Sequence, residues 1–279
     1  MRISSCRYFW FLWDSPITGK NWWVFMKQNE ISFSFYERGD GESCLFLHGS
    51  RDRKEVFERL VPYLKEQYHL VFLDMRGHGD TEAPLEGYTF EQFLSDIDAF
   101  TESRGMKSFH LIGHSLGGVI SILYTLKYPE KVKSLVLMGS SAYFIPKFKR
   151  PLVGASIDKE QIKNTNQNAI PYFFQEKYVE VQEKILSNWE KVPPHVHEEM
   201  IRMGHPDLRE KIKDITRPTL VIVGEKDRIC TVEDGELLHK GIRGSEIKVI
   251  QDAAHFMFME KPQEVSEVIS GFLKNNEKD

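Results

Sequence analysis

The residue pattern with the clearest chemical meaning is a serine set among glycines, in the run Gly113-His114-Ser115-Leu116-Gly117-Gly118. The run follows the apolar segment 109–112 and precedes a segment, 119–123, whose apolar residues have helical spacing. A strand that turns abruptly into a helix strains the serine backbone and projects the hydroxyl outward, and the flanking glycines avoid collisions with neighbouring elements. We therefore expect Ser115 to be a nucleophile.

A serine nucleophile needs a base to remove its proton and an acid to orient that base. Of the ten histidines, His255 is the best base because it follows the last predicted strand, 247–250, and lies downstream of suitable acids. Asp227 is favoured as the acid because it lies just past the end of its predicted strand, where open α/β sheets assemble their sites. Asp252 and Glu225 remain alternatives, although Asp252 is more typical of a turn.

The same chemistry needs two backbone N–H groups that stabilise a developing oxyanion. We expect one from Leu116, directly after the nucleophile. The second should come from the loop that follows the apolar segment 44–48, where Ser50 is the better candidate and Arg51 the alternative. His48 is expected to form hydrogen bonds within this loop and to take no catalytic part.

The segment Asp74-Met75-Arg76-Gly77-His78-Gly79 also has the composition of a reactive site. It precedes Ser115 in the chain, so we interpret it as structural, with an Asp74 to Arg76 ion pair bracing a loop beside the site.

Composition excludes several classes of function. The net charge is -4 and the sequence pI is about 6.2, which argues against a nucleic-acid partner. The three cysteines, Cys6, Cys44 and Cys230, are odd in number and lack metal-ligand spacing, so free thiols are expected.

The N-terminal aromatic run 8–13 is too short for a signal sequence or a membrane span. We expect residues 1–25 to form a poorly ordered extension and the protein to be cytoplasmic.

The remaining chain predicts an α/β fold in which a mostly parallel sheet has helices on both faces, after an antiparallel start in segments 22–26 and 31–36. Short apolar runs alternate with amphipathic helices, except between residues 138 and 220. We assign 26–140 and 218–279 to the core and 141–217 to a helical cap insertion. Aromatic and methionine side chains of the insertion could line an apolar pocket, although most should simply pack: Tyr143, Phe144, Phe148, Tyr172, Phe173, Phe174, Tyr178, Met200 and Met203.

Taken together, these motifs resemble those of the α/β-hydrolase superfamily, in particular its small serine esterases and non-haem haloperoxidase-like hydrolases. The resemblance extends from Ile31 to Leu273 and includes His48-Gly49, the Asp74 segment, the Ser115 run, the segment from Gly224 to Asp227, and Ala254-His255-Phe256. Related epoxide hydrolases and haloalkane dehalogenases have an aspartate in place of Ser115, which disfavours their chemistry here. The resemblance implies an α/β-hydrolase fold and the triad Ser115, Asp227 and His255.

The expected function is therefore that of a serine hydrolase which cleaves a carboxylic ester, or a related acyl bond, of a small and partly apolar substrate through an acyl-enzyme. This chemistry needs no metal and no organic cofactor. Two alternatives stay open: a carbon-carbon bond hydrolase of the same fold, and a ligand-sensing receptor with slow hydrolase activity. The sequence does not specify the oligomeric state.

Overall fold

The fold is built on one sheet. The computed structural model describes residues 9–10, 24–28, 31–144 and 159–276. Within these ranges nine strands pair in the order β1-β2-β3-β5-β4-β6-β7-β8-β9. Their bounds are β1 Phe9–Trp10, β2 Val24–Gln28, β3 Ile31–Arg38, β4 Glu42–Leu47, β5 Tyr68–Leu73, β6 Phe109–His114, β7 Val132–Met138, β8 Thr219–Gly224 and β9 Glu246–Ile250.

The sheet is antiparallel at one edge and parallel elsewhere. Strands β1, β2, β3 and β5 pair antiparallel, whereas β5, β4, β6, β7, β8 and β9 pair parallel in that order. Every residue of β6 and of β8 is buried, as expected for central strands covered by helices on both faces. The predicted fold class and the antiparallel start are confirmed, and the carboxyl ends of the parallel strands all open on the same edge.

The helices of the described residues cover both faces of the sheet. Their bounds are α1 Val61–Leu64, α2 Phe90–Ser103, α3 Leu116–Lys127, α4 Lys159–Phe173, α5 Val179–Lys191, α6 Pro194–Met203, α7 Val232–Gly241, α8 Met257–Glu260 and α9 Pro262–Asn275. Before α1 begins, the chain adopts 3₁₀ geometry over Lys54–Leu60. No helix of the described residues is long and apolar enough to cross a bilayer.

Three helices, α4 to α6, occupy the interval between β7 and β8, and we refer to them as the cap helices. Val181, Ile185 and Trp189 of α5 are buried in the same apolar cluster as strands β4, β5 and β7. Val196 and Met200 of α6 join the other apolar cluster of the core. The cap helices are therefore packed onto both halves of the core, although the exact limits predicted for the insertion stay a prediction.

Part of the predicted N-terminal extension is described. Phe9–Trp10 pairs with Val24–Phe25 in the sheet, whereas residues 1–8 and 11–23 lie outside the described residues. Poor order in those ranges stays a prediction. Cys6 and Phe148 also lie outside the described residues, whereas Cys44 and Cys230 are both buried.

The Asp74 segment is braced by charges, but the predicted pair between Asp74 and Arg76 is wrong. Asp74 Oδ2 accepts a hydrogen bond from Lys54 Nζ at 2.5 Å, and both side chains are fully buried. Arg76 instead donates two hydrogen bonds to Asp96 on α2, at 2.7 and 2.9 Å. The pairing follows the sheet, since Lys54 and Asp74 follow the adjacent parallel strands β4 and β5, whose carboxyl ends meet at one edge.

Removal of the Lys54 ammonium should be costly, because it leaves the Asp74 carboxylate buried without its cation. We expect Lys54→Met to lower the free energy of unfolding by about 3 to 5 kcal/mol. Chemical denaturation measures the loss. The matched control is Lys240→Met, at a 73% exposed lysine paired with Glu236, which should cost less than about 1 kcal/mol. Equal losses in the two variants would contradict the structural role assigned to the buried pair.

Candidate active site

Ser115 lies in the turn between β6 and α3 with a strained backbone, at φ 51° and ψ -116°. Its N–H donates to the carbonyl of Met138, the last residue of β7, at 3.0 Å. The start of α3 lies so close to the end of β4 that a Cβ on Gly117 would be 2.2 Å from the carbonyl oxygen of Leu47. Such contact is impossible for any other residue, so the glycine predicted from the motif is required by the geometry.

His255 and Asp227 meet at the edge of the sheet where Ser115 lies. His255 Nδ1 donates to Asp227 Oδ2 at 2.8 Å, and both side chains are buried. Asp227 Oδ1 accepts the N–H groups of Ile229 and Cys230 at 2.8 and 2.9 Å, which fixes the carboxylate. The hydrogen bond to Asp227 places the proton of neutral His255 on Nδ1 and leaves Nε2 as an acceptor.

His255 Nε2 is buried and has no hydrogen-bond partner among the described residues. It lines the same pocket as Ser115. His255 Nε2 is therefore available to accept a proton from Ser115.

The two alternative acids lie elsewhere. Asp252 has φ 51°, a turn conformation, and its side chain pairs with Lys177 at the surface. Glu225 accepts a hydrogen bond from the N–H of Asp252 at 3.0 Å. Neither carboxylate bonds to His255, so among the acids considered only Asp227 has the geometry of an orienting group.

The predicted oxyanion donors, Leu116 and Ser50, both line this pocket. Leu116 is the first residue of α3, and the first N–H groups of a helix have no acceptor within it. In the turn 49–52 the internal hydrogen bond runs from the Asp52 N–H to the Gly49 carbonyl at 3.3 Å, so this bond does not use the Ser50 N–H. Arg51, the alternative donor, has a left-handed φ of 66°.

Two further histidines near the site are held neutral. His48 Nδ1 donates to the Gly49 carbonyl, and its Nε2 accepts the Met75 N–H, as expected for a histidine that shapes its loop. Burial lowers the pKa of His48 well below its usual range. His114 donates from Nε2 to the carbonyl of His255 at 3.1 Å, and burial together with the neighbouring His255 lowers its pKa. His114 thus supports the loop that carries His255.

A pocket lies over Ser115, between the loop that follows β4, the start of α3 and the cap helices. Of the cap side chains proposed from sequence, Phe144, Phe173, Met200 and Met203 line it. Tyr143 is 40% exposed and lies beneath Arg209, so it belongs to the surface. Trp189 of α5 also lines the pocket. Within the described part of the chain the lining contains histidines and Arg51 but no aspartate or glutamate.

Sequence reasoning missed the contacts from the strand after the nucleophile. Gly139 directly follows β7 with φ 50°, and a Cβ there would lie 3.2 Å from His255 Nδ1 and 3.3 Å from Asp227 Oδ2. Ser140 Oγ donates to the carbonyl of Ser115 at 3.0 Å. The signal was available, because a Gly-Ser pair at the end of a central parallel strand lies at the edge that forms the site.

Comparison with known proteins agrees with this geometry. The family model described as serine aminopeptidase, S33, matches residues 41–262, which is most of the chain. The chain belongs to this family of α/β hydrolases. The predicted resemblance is confirmed.

Individual relatives share little more than a quarter of their aligned residues with this chain. The chain is 27% identical over 304 residues to monoacylglycerol lipase abhd6-A of Xenopus laevis, covering 95% of this chain and 88% of that protein. It is 28% identical over 246 residues to lipase 1 of Psychrobacter immobilis, covering 83% and 77%. A crystal structure of a hydrolase from Pseudomonas aeruginosa PA01 superposes with a TM-score of 0.82 at 23% identity, covering 90% of this chain and 98% of that chain, and this likeness supports the fold.

The predicted oxyanion loop itself contains a buried carboxyl group. Asp52 Oδ1 accepts hydrogen bonds from Asn188 Nδ2 at 2.8 Å and from the Arg53 N–H at 3.0 Å, while its Oδ2 has no partner among the described residues. Burial raises the pKa of Asp52 from 3.8 to about 7, and the bond from Asn188 opposes that rise. At neutral pH this group is therefore close to its titration midpoint.

The raised pKa predicts a pH-dependent stability. A raised folded-state pKa contributes stability that is present below the unfolded pKa and is lost as pH rises through about 7. Asp52→Asn keeps the acceptor for Asn188 but cannot ionise. We expect the unfolding free energy of Asp52→Asn to increase relative to the unmodified protein by on the order of 2 kcal/mol between pH 5 and pH 8. Denaturation at both pH values measures this difference, and a difference independent of pH would contradict the assignment.

Proposed function

We propose that the protein is a serine hydrolase that cleaves a carboxylic ester, or a related acyl bond, through an acyl-enzyme formed on Ser115. The proposal rests on one observation: the strained Ser115 turn shares a pocket with a buried His255 that Asp227 orients at 2.8 Å. Among the described residues, His255 Nε2 has no hydrogen-bond partner. This is the arrangement that a hydroxyl nucleophile needs at neutral pH.

The reaction begins when Ser115 Oγ attacks the carbonyl carbon and its proton passes to His255 Nε2. The imidazolium that forms is stabilised by the Asp227 carboxylate, which its fixed hydrogen bonds keep in place. The N–H groups of Leu116 and Ser50 stabilise the oxyanion. His255 then donates the proton to the leaving alcohol, which departs.

Deacylation uses the same groups in reverse order. Water enters in place of the alcohol, gives a proton to His255 Nε2 and attacks the acyl-enzyme carbonyl. Collapse of the second tetrahedral intermediate returns the proton to Ser115 Oγ and releases the carboxylic acid. Burial lowers the pKa of both His114 and His48, so neither carries a positive charge at neutral pH.

The pocket favours an ester over the free amino terminus of a peptide, the group that an aminopeptidase recognises. The strongest partner for an α-ammonium group is a carboxylate, and the described residues that line the pocket include none. Apolar side chains of the cap helices, Trp189, Met200, Ile201 and Met203, suit an acyl chain. The names of the relatives, monoacylglycerol lipase and lipase 1, support the same class of bond.

Replacement of the nucleophile tests the mechanism. We expect Ser115→Ala to lower kcat on nitrophenyl esters by on the order of 10⁴-fold or more. The fold should be retained, because alanine adds no volume to the turn. Initial-rate kinetics together with circular dichroism measure the two effects. The matched control is Ser141→Ala, which removes another hydroxyl of the pocket lining and should keep most of the activity. Turnover by folded Ser115→Ala at the unmodified rate would contradict the mechanism.

Replacement of the orienting acid is a sharper test of roles. In Asp227→Asn the oxygen can still accept the Ile229 and Cys230 N–H groups, so the amide NH₂ faces His255 Nδ1. The proton of neutral His255 is then forced onto Nε2, which can no longer accept from serine. We expect kcat to fall on the order of 10⁴-fold with little change in thermal stability. Full activity in Asp227→Asn would remove Asp227 from the mechanism.

A substrate panel separates the proposal from its alternatives. It contains short and long nitrophenyl esters, a thioester, an aminoacyl anilide and a vinylogous diketone. We expect esters with medium or long acyl chains to give the highest kcat/KM. Preference for the anilide or the diketone, or ligand binding with negligible turnover of all five, would overturn the ester assignment.

A further inference from the structure

The loop that carries the predicted oxyanion donor Ser50, residues 49–53, is not held in shape by the core alone. Arg51 lies in this loop with φ 66°, a conformation that costs a residue with a Cβ roughly 1 kcal/mol or more. Such a conformation persists only when surrounding contacts determine it.

Two asparagines of the cap helices bond to this loop from neighbouring helices. Asn166 of α4 accepts a short hydrogen bond from Arg51 Nη1 through its Oδ1. Asn188 of α5 donates from Nδ2 to Asp52 Oδ1 at 2.8 Å. The guanidinium of Arg51 also lies over the ring of Trp189, 4.3 Å from its centroid. The side chains of two consecutive loop residues are thus bound by α4 and α5.

All four hydrogen-bonding side chains are buried. Asn166 is fully buried, Asn188 is 7% exposed, and Asp52 and Arg51 are 1% and 9% exposed. A buried amide costs free energy unless it is hydrogen-bonded, and apolar residues would pack such positions at lower cost. The two asparagines are therefore explained by their hydrogen bonds to the loop, which apolar residues could not form.

The cap helices also reach the other half of the site. The N–H of His255 donates to the carbonyl of Phe173, the last residue of α4, at 3.1 Å. The Phe173 ring packs edge-on against the imidazole, with centroids 5.1 Å apart. One helix, α4, therefore contacts the His255 backbone at its end and the oxyanion loop through Asn166.

We infer that Asn166 and Asn188 are positioning residues, which hold the 49–53 loop so that the Ser50 N–H is aligned with the oxyanion only when the cap helices are seated on the core. The inference rests on the proposed function, since it assigns a role within that mechanism. Its chemical consequence is specific. Loss of either bond weakens stabilisation of the transition state, whereas the apolar walls that bind the ground state stay in place.

The experiment compares Asn188→Ala and Asn166→Ala with Ser187→Ala and Asn164→Ala. Each control replaces an exposed polar residue on the same helix as its partner variant. Loss of one oxyanion donor lowers turnover on the order of 10² to 10³-fold, and partial misalignment should cost less. We expect kcat on the preferred nitrophenyl ester to fall about 10-fold or more in the two test variants, with KM within about 3-fold, and to stay unchanged in both controls.

A second readout separates positioning from general destabilisation. A trifluoromethyl ketone forms a tetrahedral adduct with the serine and depends on the oxyanion donors, so its inhibition constant should rise in parallel with the loss of kcat/KM. A medium-chain alkyl alcohol, which binds the apolar walls and carries no carbonyl oxygen for the oxyanion donors, should keep its inhibition constant. If Asn188→Ala does not fold, Asn188→Ser is the substitute. Its side chain is smaller than asparagine but keeps a hydrogen-bond donor, so the loss of kcat should be intermediate.

Either of two results would overturn the inference. One is that both test variants keep kcat within 2-fold of their controls. The other is that KM rises while kcat is unchanged, which would make the asparagines part of substrate binding alone. Failure of the proposed function itself is distinguishable, because it would appear as ester turnover by Ser115→Ala whatever the asparagine variants do.

Discussion

The structure depends on the close approach of β6 and α3 to the end of β4. Ser115 takes its strained conformation because the chain reverses there between a buried strand and a buried helix, and the Ser115 N–H is fixed on Met138 of the next strand. Gly117 lies against the carbonyl groups of Leu47 and His48, so α3 begins directly beside the loop that follows β4. One backbone constraint thus exposes the nucleophile and places two predicted oxyanion donors around it.

The remaining parts of the site are held by neutral or fixed polar groups. Asp227 is bound by two backbone N–H groups, and Gly139 leaves room for the contact between Asp227 and His255. His114 ties the His255 carbonyl to the nucleophile turn. The buried pair of Lys54 and Asp74 stabilises the neighbouring edge without taking part in the chemistry. These contacts keep the reacting groups aligned before a substrate binds, which reduces the reorganisation needed during the reaction.

Much of this arrangement could be predicted from local patterns. The strand and helix periodicities, the glycine-flanked serine, and polar residues at strand ends led to Ser115, Asp227 and His255, and the structure brings Asp227 and His255 into contact as expected. The pairing of charges could not be predicted, because Asp74 is close to Arg76 in sequence, whereas the fold places the Lys54 ammonium against the Asp74 carboxylate. Asn166 and Asn188 were missed for a related reason. A polar residue on an amphipathic helix has the same appearance in sequence whether it faces solvent or a buried loop.

The most direct test of the account is reaction of the folded protein with a fluorophosphonate, followed by peptide mapping of the adduct. The reagent modifies serines that are activated by a neighbouring base. The account predicts stoichiometric labelling of Ser115, loss of labelling when the protein is unfolded beforehand, and a labelling rate reduced strongly in His255→Ala. Absence of an adduct on Ser115 in the folded protein, or an adduct on a different serine that accounts for the activity, would contradict it.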